Sequence, residues 1–96
     1  MSNETELSVP LIHLNGSDGK YLAGLFNTTY HLLEGAKTSL KSTAPHMRDF
    51  YPYENGEYRY QLAREQHVAR IKKIDELLEE MEQLQCAVYD QMGLGG

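Results

Sequence analysis

The sequence predicts an all-α fold: an antiparallel helical hairpin with an extended N-terminal arm, assembling with copies of itself into an oligomeric helical bundle. Three observations predict it. Two long stretches carry apolar residues at alternating steps of three and four, the spacing of one helix face. Between them, "APHMRDFYPYENG" holds two prolines and an Asn-Gly pair, the composition of a loop. The longer stretch divides into a basic half and an acidic half, an arrangement that favours antiparallel pairing of copies.

The 96 residues form one small domain, near the size where a single core gives modest stability without subunit association. Residues 1–16 are read as the arm, because "LSVPLIHLN" is apolar yet too short for a long helix. Residues 17–43 form the first helix, with Leu22, Phe26, Thr29, Leu33, Ala36 and Leu40 as its seam and Leu25 and Leu32 widening the stripe. Ser17 or Asp18 caps it after an Asn15-Gly16 turn, and Ala44-Pro45 ends it, since the residue before proline avoids helical backbone. Residues 44–56 are the loop. Residues 57–92 form the long helix, with Tyr60, Ala63, His67, Arg70, Ile74, Leu77, Met81, Leu84 and Val88 as its seam, Ile71 and Leu78 alongside, and Gly93 as a stop before a flexible tail, 93–96.

Residues paired across the hairpin are expected to sum to about 100, with Leu33 near His67 and Leu22 near Leu78. The second helix would then overshoot at its C-terminal end, leaving Leu84, Val88 and Met92 to be covered by the arm or another subunit. Residues 57–73 carry a net charge of +3, whereas 74–90 carry six acids and no base. A homodimer or larger oligomer is the expected state.

Composition excludes several functions. A net charge of −5 argues against general affinity for DNA or RNA. No apolar run approaches the roughly 18 residues of a membrane span. The polar, acidic Met1–Glu6 is unlike a signal peptide, and the one cysteine, Cys86, read as buried or half-buried beside the seam, fits a reducing cytoplasm. "NGSDGK" falls short of a P-loop, because only Ser17 and Asp18 separate Gly16 from Gly19 and Tyr21 follows Lys20. No zinc, di-metal or nucleophile constellation can be placed, so neither a metal, a cofactor nor an enzymatic activity is expected.

Three features could carry ligand chemistry, each with a structural alternative. The start of the first helix, with its free N–H groups beside Lys20, is either a cap alone or an anion contact. In the loop, Phe50, Tyr51, Tyr53, Tyr58 and Tyr60 lie among Arg48, Asp49 and Arg59. Such rings can stack a base while arginine takes phosphate, or they can plug the end of the hairpin, with Arg48 or Asp49 capping a helix. His67 and Arg70 interrupt the apolar seam, either as a polar layer that fixes register or as the lining of a ligand pocket.

"HLNGS" before the first helix, "RDFYP" in the loop and "EQHVAR" early in the second resemble a group of small helical phage and prophage proteins. That group carries His-Leu-Asn-Gly-Thr/Ser, Arg-Asp-Tyr-Tyr-Pro and Glu-His elements in this order over nearly the whole chain. Here Phe50 replaces the first tyrosine, and Gln66 separates Glu65 from His67. The resemblance implies a phage protein of the bacterial host cytoplasm. In size and style the chain is similar to small oligomeric phage proteins that sequester nucleotide signals of bacterial immunity. The expected function is therefore non-enzymatic binding of a small phosphorylated nucleotide. Arg48 and Arg70 would meet phosphate, with Asp49 beside Arg48 in the same loop, Tyr51 and Tyr53 would stack the base, and His67 would donate a hydrogen bond. His13, Asn15, Ser17 and Lys20 of an antiparallel partner would complete the site. The alternative is a protein-interaction module acting through its helix faces.

Overall fold

Two helices packed against each other make up the fold, and the described residues contain no strand. The computed structural model describes residues 6–12 and 16–93, and of Gly16 and Ser17 only the helical backbone. Helix α1 spans Gly16–Lys41 and helix α2 spans Gly56–Gln91, with one 3-10 turn, Met47–Asp49, in the connection. Ser17 and Asp18, expected before the helix as its cap, thus lie inside the first turn of α1. Asp18 there complements the positive end of the helix. At the other end the hydroxyls of Ser42 and Thr43 donate to the carbonyls of Ser39 and Leu40, at 2.6 and 2.7 Å, and helix gives way to loop before Pro45. Gly93, at φ +72°, ends α2 in the left-handed conformation that glycine adopts without strain.

The packed faces follow a straight-helix period. In α1, Leu22, Ala23, Phe26, Tyr30, Leu33, Lys37 and Leu40 turn inward, while Thr29 and Ala36, assigned to the seam by the seven-residue rhythm, are exposed. Leu25 and Leu32 also face outward. In α2 the seam takes Ile71 and Leu78 in place of Arg70 and Leu77, both of which are exposed. Positions 63, 74 and 85, or 67, 78 and 89, all turned inward, are eleven apart; a true helix of 3.6 residues per turn nearly repeats over that interval, whereas a strict heptad drifts about 20° per repeat. Cys86, expected buried or half-buried, is exposed.

The register also differs from expectation. Lys37 Nζ lies 2.6 Å from Asp75, and the Cβ of a residue replacing Gly19 would fall on the Sδ of Met92. Opposed residues therefore sum to 112 and 111, about three turns from the expected line. The overshoot of α2 is consequently at its N-terminal end. Beyond Lys41, roughly the first 15 residues of α2, about 22 Å of helix, have only the loop beside them. The C-terminal end is the better covered one, where Ala23 and Val88, on the same line, are both wholly buried. There the side-chain amide of Gln91 accepts from the Ile12 N–H and donates to the Pro10 carbonyl, each at 2.8 Å. One carboxamide thus satisfies a backbone acceptor and a backbone donor two residues apart.

The Lys37–Asp75 pair is partly solvated, so it orients the helices more than it stabilises them. Asp75→Asn is expected to cost at most about 1 kcal/mol, a melting shift of a few degrees for a domain this size. Melting in 1 M salt, where charges screen within about 3 Å, should erase the difference from the parent protein.

The molecule is elongated, 64 × 31 × 19 Å, with a radius of gyration of 19.3 Å. A compact chain of this length would have about 12.5 Å. Among the described residues Ala23 and Val88 are the whole of the fully buried apolar core.

Candidate functional site

The loop that connects the helices has a rigid inner side and an aromatic outer side. Phe50 turns inward, its ring centroid 6.1 Å from that of Tyr60 and 6.5 Å from that of Tyr53. Gly56 sits directly against the backbone of Phe50 and Tyr51, which is why this position has no side chain. Arg59, in the first turn of α2, reaches back over the loop. Its Nε donates to the Asn55 side-chain oxygen at 3.1 Å and its guanidinium lies 4.2 Å from the Tyr53 ring centroid. Asn55 stands at the N-cap position, yet its side chain makes no capping bond, because that oxygen serves Arg59. A cation over a ring face is worth about 0.5–1 kcal/mol at an exposed site, enough to favour one loop conformation.

Arg48, Asp49, Tyr51 and Tyr53 are brought together on this loop, all exposed, with Tyr51 at 69%. Among the described residues no carboxylate pairs with Arg48 or with Arg70. The rings divide between two positions: Phe50 and Tyr60 pack together at the loop end of the hairpin, while Tyr51, Tyr53 and Tyr58 are exposed. Asp49 ends the 3-10 turn and caps neither long helix.

His67 lies on the inner face of α2, and its Nδ1 is buried with no hydrogen-bond partner. Arg70 is out of the seam and exposed, so the two do not line one pocket. Lys20 sits at the opposite end of α1, about 30 Å of helix from the loop. The side chain of Ser17, and His13 and Asn15 entirely, lie outside the described residues.

A cleft of about 420 Å³ lies elsewhere, between α1 and the middle of α2. Glu34, Asp75, Glu79 and Glu82 outnumber Lys37 and Lys41 around it, an environment that repels phosphate. None of the residues expected from the sequence to bind a ligand lines it. Among the described residues no group of three or more His, Cys, Asp or Glu side chains is placed to hold a metal ion, and no helix is long and apolar enough to cross a membrane.

The chain matches no protein-family model, no curated protein and no solved structure. Functional inference therefore rests on the residues themselves. Sequence reading overlooked the structural part of Arg59, although its signal was present: an arginine four residues after Asn55 on a helix start reaches that side chain by ordinary i,i+4 spacing.

Proposed function

We propose that the protein is a non-enzymatic, self-associating binder of a small phosphorylated nucleotide, and that the loop end of the hairpin is its recognition surface. The observation that carries this reading is the grouping of Arg48, which no carboxylate of the described residues engages, with outward-facing Tyr51 and Tyr53 on a loop held in shape by Arg59. Tyrosine faces stack a base, the guanidinium takes phosphate in a bidentate manner, and a stiff loop loses little entropy on binding. Arg70 adds positive charge along α2. The hollow at this end, about 320 Å³ along Gln61, Arg64, Glu65 and Val68, takes in neither Arg48 nor the loop tyrosines, so an antiparallel second copy supplies the facing wall, bringing Lys20 and the His13–Ser17 segment, as an arm, to the loop. The resemblance to small phage proteins supports sequestration of an immune nucleotide signal in the bacterial cytoplasm as the biological setting.

Calorimetry against cyclic oligonucleotides and ADP-ribose derivatives tests this. Binding is expected with at least one of them, and Arg48→Ala should weaken it at least tenfold, the loss of a charge-assisted phosphate contact of about 1.5–3 kcal/mol. Helix content and oligomeric size should stay unchanged. Absence of heat from every member of the panel at several hundred micromolar removes the proposal.

The uncharged, exposed outer face of α1, with Tyr21, Leu25 and Leu32, favours a second reading, a protein-interaction module. Purification from lysate separates the two: a stoichiometric polypeptide favours the module, a heat-released nucleotide the binder.

A further inference from the structure

The surface through which the protein pairs with itself can be read from α1. From Tyr21 to Ser39 its outer face holds no charged residue, and every position on it is exposed, Tyr21 at 71% and Leu32 at 70%. Two glycines, Gly24 and Gly35, lie on this face in mid-helix. Each costs about 1 kcal/mol of helix stability relative to alanine. Among the described residues nothing requires either, since an added Cβ would meet none of their atoms within 4 Å. The total accessible surface is 7209 Å², whereas a compact monomer of 11.0 kDa exposes about 5,600 Å². The excess, roughly 1,600 Å², is more than the roughly 800 Å² that each partner contributes to a standard interface.

We infer that two copies dock through this face, antiparallel about a two-fold axis, in the register that sets Leu25 against Gly35, Leu32 against Thr28 and Tyr21 against Ser39. In a two-fold interface each contact occurs twice, so a self-complementary stripe must pair its large side chains with its own small ones. This stripe does so at every large position, and the glycines permit the close helix approach that a side chain would block. The same register carries Lys20 to the level of Leu40 of the partner subunit, next to the partner's loop. The inference rests on the self-association in the proposed function and names its surface; it is independent of whether the ligand is a nucleotide.

Sedimentation of Leu32→Glu tests the face. The side chain is exposed in the hairpin, so the fold persists, checked by helix content, while the dimer dissociation constant rises roughly 30-fold or more. Val68→Glu, equally exposed on α2, leaves it unchanged. Cross-linking tests the register: in a Cys86→Ser background, Tyr21→Cys chains mixed with Ser39→Cys chains form the mixed disulfide, and Tyr21→Cys alone forms none. A monomeric parent protein, a Leu32→Glu variant that sediments like the parent, or self-cross-linking of Tyr21→Cys overturns the inference. An intact dimer that binds no nucleotide overturns the proposed function and leaves the interface standing.

Discussion

Gly56→Ala destabilises the protein by roughly 2–4 kcal/mol, a large part of the 5–15 kcal/mol typical of a domain. The added Cβ falls on the Phe50 carbonyl oxygen and comes within 3.1 Å of Tyr51 Cα, both backbone atoms. A flexible side chain could rotate away; a carbonyl held by its neighbours cannot. Phe50 is fixed from both sides, its N–H donating to Met47 O at 2.9 Å and its carbonyl accepting from Tyr53 N at 3.1 Å. Accommodating one methyl group therefore means moving the whole turn off α2, with loss of the Phe50–Tyr60 contact. Urea denaturation should show a lower midpoint with the same slope, and the exposed tyrosines should lose ligand binding in parallel. A midpoint equal to that of the parent protein would show that the loop does not pack on α2 as described.

The second large effect is at Val88. It has 0% exposure and, with Ala23, marks the tightest layer of the hairpin. Val88→Asp places a carboxylate in this wholly buried apolar layer, at a cost of several kcal/mol. The variant is expected to lose most of its cooperative melting transition at room temperature. Cys86→Asp, two residues earlier on the exposed side of the same helix, should melt within a few degrees of the parent. If both variants melt alike, the burial at 88 is not what holds the two helices.

The two helices and the loop were legible because their signals are redundant: a repeating apolar spacing, prolines between the stretches, and a glycine at the end. The exact packed face was less so. A rhythm of seven and one of eleven agree over two turns and separate by the third, which is why Tyr60, Ala63 and His67 are seam residues while Arg70 is not and Ile71 takes its place. The register error has another origin. Summing positions across the loop assumes that helix follows helix after a minimal turn, whereas here residues 42–55 fold back beside α2 through Phe50 and displace the pairing by three turns. Loop grouping of Arg48, Asp49, Tyr51 and Tyr53 followed from their nearness in sequence. The clasp of Gln91 on Pro10 and Ile12 could not have been found that way, because it joins residues some 80 positions apart with no periodic signal to announce it.

The placement of Ala23 opposite Val88 has a kinetic consequence. The best-packed layer joins positions 65 apart in the chain, so a folding polypeptide gains its strongest contacts only after bringing distant segments together. Loop-closure entropy grows as about (3/2)RT ln n, which makes that meeting the slow event, unlike a hairpin that zips up from its turn. Conversely, unfolding that begins with release of the Gln91 grip would separate both chain ends at once, and proteases would find their first cuts there, far from the aromatic turn.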